Sequence, residues 1–446
     1  MGQVLAILLF KNKEIMHSKL PYNRLKRELG IVGATMMGLG SIVGTGIFVS
    51  IGVAAGSAGP SVILAIALAA IVATCNAFSS AQLAASHAVS GGTYEYGYRY
   101  LHSWFGFTAG WMFLCAKTAS AATAALGFAG YLIHLFNLSS VPIIPIAACT
   151  SVVLTSLVLS GLRQAAWANS VIVSVTLVAL VLFVVCGLPD VFNQGAVHLK
   201  PFFPFSEKRV SGFFYATALM FVAYTGYGRV ATLGEEVKNP KTLIPRAIIV
   251  TLIVSAILYI AVGLVAVGTV GAENLAQATQ SHATPLEMAA RMIGVPGLGI
   301  IVAIGACTSM LGVLLNLILG LSRVVLAMGR QGDLPLLFGH VSDKGRAPSA
   351  AVIGVGIAIT GLTLTGSVET TWAFSAFTVL IYYSITNLAA LRLPKVDRLY
   401  HPVFAIGGLI ACLFLAFWVP GKIWVTGLGL IVMGLAWHVV ANKLWK

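Results

Sequence analysis

Gly40-Ser-Ile-Val-Gly-Thr-Gly-Ile-Phe48 places a glycine-punctuated backbone inside an apolar run that extends from about Ile31 to Ala55. Glycine has no Cβ, so it adopts unusual dihedrals and admits close backbone approach. A helix interrupted here presents its own N–H and C=O groups. In hydrocarbon each unpaired group costs several kcal/mol, so a break at depth persists only where it lines a protein-enclosed or watery cavity. With a rise of about 1.5 Å per residue, Gly40 to Gly46 lies roughly 14 to 24 Å into the run, near the midplane of a ~30 Å apolar slab. That is the depth at which secondary transporters hold their solutes. Small residues also serve simple close packing of membrane helices, so context decides between the two readings.

Composition supplies that context. Of 446 residues 58% are hydrophobic and only 9% charged, with a mean hydropathy of +0.94, whereas an ordinary soluble domain carries about 25% charged residues. The chain reads as an all-α polytopic membrane protein. Apolar runs of roughly 20 residues give about twelve transmembrane helices, centred near Gly44, Ile71, Thr118, Val152, Thr176, Val222, Ala256, Met310, Ile357, Ile381, Ile410 and Leu430. The 6 cysteines fall inside these spans without Cys-x-x-Cys spacing, which indicates neither a metal site nor a disulfide framework.

A formal charge of +14 and a pI of about 9.6 would suggest nucleic acid in a soluble protein. Here the distribution of Lys and Arg matters more than their sum. With twelve spans, loops on the side of the N-terminus hold most of them, among them Lys19, Arg24, Lys26, Arg27, Lys238, Lys241, Arg246 and Arg330. The opposite loops hold Lys200, Lys208, Arg209, Arg291 and Lys422. By the positive-inside rule both termini are expected in the cytoplasm, with the chain in the inner (plasma) membrane and no nucleic-acid partner. Val4–Phe10 is too short to span and lacks the basic lead and small-residue cleavage site of a signal peptide. Met16 is an alternative start, since His17–Arg27 reads well as a cytoplasmic lead-in.

Transporters often repeat a five-helix unit with inverted topology. The expected division is a cytoplasmic segment 1–29, a ten-helix core 30–392 made of repeats 30–188 and 210–392, and two peripheral C-terminal helices with a cytoplasmic end in 393–446. The first span of the first half breaks at Gly40–Gly46. The first span of the second half carries Phe221-Val-Ala-Tyr-Thr-Gly-Tyr-Gly-Arg229, again with two mid-span glycines. Paired interruptions are the best sequence pointer to a binding site in such folds, although a chain with 47 Gly also produces them by chance.

Further stretches stand in a fixed order around these breaks: Ala58-Gly-Pro60, Ser90-Gly-Gly-Thr-Tyr-Glu-Tyr96 leading into Gly106-Phe-Thr-Ala-Gly-Trp111, and Gly127-Phe-Ala-Gly-Tyr131. Glu235-Glu-Val-Lys-Asn-Pro240 with Ile244-Pro-Arg-Ala247 follows the second break, and Ala327-Met-Gly-Arg-Gln-Gly-Asp-Leu-Pro335 comes later. From about Leu29 through Arg392 the chain thereby resembles the amino acid–polyamine–organocation (APC) superfamily permeases. The resemblance implies a 5+5 inverted-repeat core with discontinuous first and sixth helices plus two peripheral helices. It also implies uptake or exchange of amino acids or related amines.

What the resemblance implies for the site is carried over position by position. The substrate carboxylate would meet backbone N–H groups at the first break, here Gly44, Thr45 and Gly46, aided by a positive half-helix end. The ammonium group would meet carbonyls at the broken ends, here Ile42, Val43, Tyr224 and Thr225. Such contacts fit any zwitterionic α-amino acid. Side-chain selectivity would come from Ser120, Tyr227 and Gly228, positions where aromatic residues also serve as packing.

Two features depart from the family pattern. Some proton-coupled relatives carry a lysine in span five that stands in for a sodium ion, and Thr176 holds that place here. Instead Lys117 sits in span three, about 20 Å in by helical rise from Trp104. An ionisable residue at that depth is a functional-site hypothesis by default, and the competing reading is a snorkelling or carbonyl-pinned lysine. Proton coupling through Lys117 is the first expectation. A sodium alternative rests on Gly305-Ala-Cys-Thr308-Ser309, whose two hydroxyls, with carbonyls of Gly40 and Val43, offer the oxygen ligands a hard cation wants. Exchange without ion coupling is the third option.

The expected function is secondary active transport of amino acids by alternating access, with neutral α-amino acids first, because Arg229 near the path repels a dibasic substrate. The alternatives are a cationic amino acid or amine permease or exchanger, a sodium-coupled symporter, and a transport-inactive amino acid sensor. No cofactor is expected. No nucleophile–base pair, Walker loop or metal constellation supports an enzyme or an ATP-driven pump. Asn76, Ser79, Ser80, Asn316 and Thr378 read as ties between helices.

Overall fold

Helices that are apolar around their whole circumference, rather than along one stripe, are helices with apolar surroundings on every side. Among the residues described by the computed structural model, 30–87, 91–136, 138, 141–160, 166–203, 207–231, 237–341 and 348–445, every element is helical. Segment 1–29 with Met16, and Ser90, Glu235 and Glu236 of the stretches quoted above, lie outside them. Seven helical stretches are long and apolar enough to cross a membrane: Ile31–Ser86, Ser103–Leu135, Asn169–Asn193, Lys241–Val270, Leu298–Arg330, Val368–Leu391 and Gly421–Leu444. Ile143–Leu159, Ser349–Thr363 and Pro402–Phe417 are shorter apolar helices. The architecture is that of an all-α polytopic membrane protein.

Helix α1 (Ile31–Ile42) stops at Val43, whose ψ of 102° turns the chain out of the helix. It resumes as a wide π-helical turn over Gly46–Ser50 and then α2 (Ile51–Ala58). Next come α3 (Val62–Ser86), the short α4 (Thr93–Tyr100), α5 (Ser103–Leu135), α6 (Ile143–Leu159) and α7 (Ala166–His198). α8 (Glu207–Tyr224) is interrupted in its turn, and a tight turn over Thr225–Tyr227 joins it to α9 (Gly228–Ala231). The chain continues through α10 (Pro240–Val270), α11 (Ala272–His282), α12 (Pro285–Met292) and α13 (Leu298–Arg330). α14 (Ser349–Thr363), α15 (Val368–Leu391), α16 (Pro402–Phe417) and α17 (Gly421–Trp445) complete it. Both interruptions expected from the glycines are present.

Helix α5 packs against α13 and α15, while α10 packs against α3 and α7. Polar side chains tie this frame together. Asn387 Nδ2 donates to Asn76 Oδ1 at 2.7 Å, joining α15 to α3, and Cys412 of α16 donates to the same oxygen. Thr378 instead donates along its own helix to Phe374.

One carboxylate holds an end of the bundle. Asp333, fully buried beyond α13, accepts from the hydroxyls of Tyr94 (2.7 Å) and Tyr98 on α4. His438 Nδ1 on α17 lies 3.2 Å from it, and Trp437 Nε1 donates to its backbone carbonyl at 2.9 Å. Asn442 Nδ2 donates to His438 Nε2 at 3.1 Å, which leaves the ring proton on Nδ1, facing the carboxylate. Asp333→Ala would strand two hydroxyls and a ring N–H in a buried site. We expect a loss of about 3–5 kcal/mol, the scale of a broken buried pair, read as a lower melting temperature of the purified protein. Exposed Glu273→Ala should stay within about 0.5 kcal/mol of wild type.

Candidate functional site

The two interruptions lie against each other. A Cβ at Gly46 would overlap the Cα and Cβ of Ala223, and a Cβ at Gly226 would overlap the Ser41 carbonyl. Only glycine permits this backbone-to-backbone crossing of α1 with the turn after α8.

Breaking two helices frees carbonyls, and hydroxyls from neighbouring helices take them. Tyr259 donates to Ile42 O (2.7 Å), Ser309 to Val43 O (2.6 Å), Tyr131 to Phe48 O (2.7 Å) and Tyr383 to Thr225 O (3.3 Å). The amide side is not treated alike. Among the described residues no backbone carbonyl outside the regular helices accepts from the N–H of Gly44 or Thr45. The first break therefore keeps these two donors while the carbonyls of Ile42, Val43 and Phe48 are occupied, which is the polarity an anion requires.

Lys117 of α5 reaches the second break. Its Nζ donates to Thr225 Oγ1 at 2.9 Å, and that hydroxyl passes its own proton to Val222 O at 2.7 Å. Both residues bound a cavity of about 100 Å³ with Ser41, Gly226, Gly228, Arg229, Asn316, Arg323, Tyr382 and Tyr383. Lys117, Arg229 and Arg323 are cationic, and no carboxylate bounds the cavity among the described residues.

The remaining sequence-derived positions fall elsewhere. Ser120 pairs with Ser375 across α5 and α15 at 2.8 Å, and Thr123 with Thr371 at 2.8 Å. Trp372 Nε1 donates to Leu219 O in the same layer. Beyond it a second cavity of about 650 Å³ opens between Ser57, Thr279, Gln280, His282, Ser367 and Glu369. Tyr224 and Tyr227 are fully buried, packing against Tyr259 and Tyr383 at ring separations of 5.1 and 5.6 Å.

Thr176 and Thr308 approach one carbonyl, that of Gly305, and Ser309 meets Val43. Thr176 Oγ1 donates to Ile172 O and lies 3.5 Å from Gly305 O, while Thr308 donates to Ile304 O. Ser309 donates directly to Val43, so a hydroxyl occupies the carbonyl that a cation would share. Gly40 packs one turn earlier, against Asn169. Among the described residues no group of three or more His, Cys, Asp or Glu gathers as metal ligands.

Sequence reasoning missed Tyr383 and Arg323 as cavity residues and read Asn316 only as a tie. Asn316 stands seven residues after Ser309 and Tyr383 eight after Ser375, two helical turns along the same faces. That spacing was the available signal.

The profile of the family described as amino acid permease matches residues 33–445. The chain is 38% identical to an uncharacterised transporter of Mycobacterium tuberculosis, over 95% of this chain and 93% of that protein. It is 29% identical to the methylthioribose transporter of Bacillus subtilis, over 98% of both chains. It is also 29% identical to a branched-chain amino acid permease of the same organism, over 94% of this chain and 92% of that one.

The two glycines of the first break should respond differently to substitution. At Gly46 a new Cβ meets the backbone of α8, so Gly46→Ala should lose most of the folded yield. At Gly44 it meets side-chain atoms rather than backbone, a Val313 methyl group at 2.6 Å and the Ser309 hydroxyl at 3.5 Å, which a small shift of Val313 can relieve. Gly44→Ala should therefore fold and lose at least about tenfold in transport by crowding the free amides, on the scale of a lost charge-assisted hydrogen bond. Size-exclusion profiles and uptake into liposomes, measured side by side, check both outcomes.

Proposed function

The chain belongs to the amino acid permease family, and on that premise we propose that it moves neutral α-amino acids by alternating access, coupled to a proton bound at Lys117. Membership makes it an integral, multi-pass transporter of amino acids rather than an enzyme. The observation that carries the finer reading is the Lys117–Thr225 bond at 2.9 Å, which places an ammonium at the crossing of the two interrupted helices.

In this reading the chain has twelve spans, with repeats 30–188 and 210–392 and peripheral helices in 393–446. Both termini face the cytoplasm of the cell whose inner membrane holds it. The cavity of Lys117 is the inner access path, and the layer of Ser120–Ser375, Thr123–Thr371 and Trp372 is the closed outer barrier. Three supports favour neutral over dibasic substrates. The cavity carries three cations, no carboxylate bounds it among the described residues, and the named relatives include a branched-chain amino acid permease and a methylthioribose transporter.

Lys117 can carry the coupling because its proton decides whether a charge or a neutral amine sits against Thr225. A charge in this interior requires compensation that a neutral amine does not. The two protonation states therefore favour different arrangements of α5 against the turn after α8. Sodium is the second reading, supported by the approach of Thr176 and Thr308 to the Gly305 carbonyl and of Ser309 to that of Val43. It requires Ser309 to release Val43 and turn a lone pair to the ion.

Purified protein in liposomes, supplied with a labelled amino acid panel under separate pH and sodium gradients, tests the proposal. Lys117→Met should lose proton-driven accumulation. Lys117→Arg, which keeps its proton, should lose pH dependence while retaining exchange. A Lys117→Met protein with the wild-type pH profile would remove Lys117 from coupling and leave the Thr308–Ser309 sodium site as the account to pursue.

A further inference from the structure

The open cavity and the amides assigned to the carboxylate by resemblance do not coincide. Gly44, Thr45 and Gly46 are buried and none of them bounds the cavity. Gly44 faces Val313 and Ser309, and Gly46 faces Ala223 and Trp372. A solute entering the cavity meets other donors first.

Two of those donors are built for an anion. An ammonium has three N–H groups, and Thr225 is the only hydrogen-bond partner of Lys117 among the described residues. The Thr225 hydroxyl accepts that bond with its proton committed to Val222, so it cannot donate to a second acceptor. Asn316 of α13 bounds the same cavity, is 7% exposed, and its Nδ2 has no partner among the described residues. A buried donor left unmade costs on the order of 1–3 kcal/mol. Both sites therefore favour a ligand acceptor, and a carboxylate offers two oxygens to donors from different helices.

We propose that Lys117 and Asn316 hold the α-carboxylate of the substrate while the cavity is open, before it passes to the amides of Gly44 and Thr45. The proposal rests on the amino acid transport reading and makes proton site and first carboxylate site the same ammonium. Substrate and proton then assist each other's binding by equal factors. The other charged and titratable groups bounding the cavity are Arg229, Arg323, Tyr382 and Tyr383. The two arginines draw the carboxylate inward without distinguishing the protonation states of Lys117.

Equilibrium binding without any gradient separates this from coupling. The twenty standard amino acids are screened against wild-type protein, and the tightest is compared with its own α-carboxamide, which keeps the ammonium and side chain but loses the negative charge. Wild type should prefer the acid by roughly 10- to 100-fold, the scale of a charge-assisted bond. Lys117→Gln should shrink the preference to within about threefold, Asn316→Ala should reduce it several-fold, and Lys117→Arg should largely keep it. A folded Lys117→Gln protein with the wild-type ratio would overturn the proposal and return the carboxylate to the amides. If Lys117→Gln does not fold, an unchanged ratio in Asn316→Ala overturns it equally. Variants that keep the ratio yet lose proton-driven uptake reject this anchor and leave the coupling role standing. Absence of binding by every amino acid rejects both.

Discussion

Contact between two interrupted helices, backbone against backbone, is the constraint on which the rest of the structure depends. It exists because Gly46 and Gly226 have no Cβ to hold α1 away from α8. Both helices interrupt their hydrogen-bond ladders at this crossing, and the freed groups must be satisfied from outside. Long side chains answer that need. Tyr131, Tyr259 and Tyr383 reach from α5, α10 and α15 to carbonyls of the two breaks, and Ser309 reaches one from α13. These hydroxyls fix the neighbouring helices around the crossing, so the frame is arranged by the demands of its broken centre.

The same arrangement gives the site its sign. Hydroxyls take the carbonyls of Ile42, Val43, Phe48 and Thr225 while the amides of Gly44 and Thr45 remain, and the adjoining cavity adds Lys117, Arg229, Arg323 and the Nδ2 of Asn316. Lysine suits this place better than arginine. Its charge is a compact point on a flexible stem, able to release its proton and to swing between Thr225 and a ligand. A planar guanidinium would hold both charge and geometry.

Much of this was legible in the sequence, for reasons that can be stated. Paired glycines at corresponding mid-span positions point to breaks, and a lysine at depth announces itself by its cost. The partner of Lys117 was legible only as a break residue, since Thr225 lies 108 positions away and no local pattern connects them. Ser120, Tyr224 and Tyr227 were placed in the binding contacts and instead pair or pack behind the cavity. Helical counting at about 3.6 residues per turn loses its phase across the 3₁₀ turn Thr225–Tyr227, so the face that Tyr227 presents cannot be carried over from α8. Asn316 and Tyr383 are ordinary residues in membrane helices, and their two-turn spacing from Ser309 and Ser375 was the one local sign of the faces they share. Asp333 stood in the stretch 327–335 with no role of its own, and its carboxylate joins α4 and α17 just beyond α13.

Helix α5 shows how these parts work as one device. Lys117, Ser120 and Thr123 recur at three-residue spacing and so share one face. The first bonds to the turn after α8, and the other two bond to α15. The hydroxyl pairs are neutral, and each contributes only about 0.5–1.5 kcal/mol net, because water replaces them readily. The Lys117 bond carries a charge whenever the proton is present and is correspondingly stronger. On the alternating-access reading, the barrier between the cavities is therefore made of contacts that water can exchange at little cost. The contact beside it changes strength with a proton. An equilibrium balanced that finely needs only a modest input, and a proton or a carboxylate arriving at Lys117 supplies an input of the right size at the point where both helices meet.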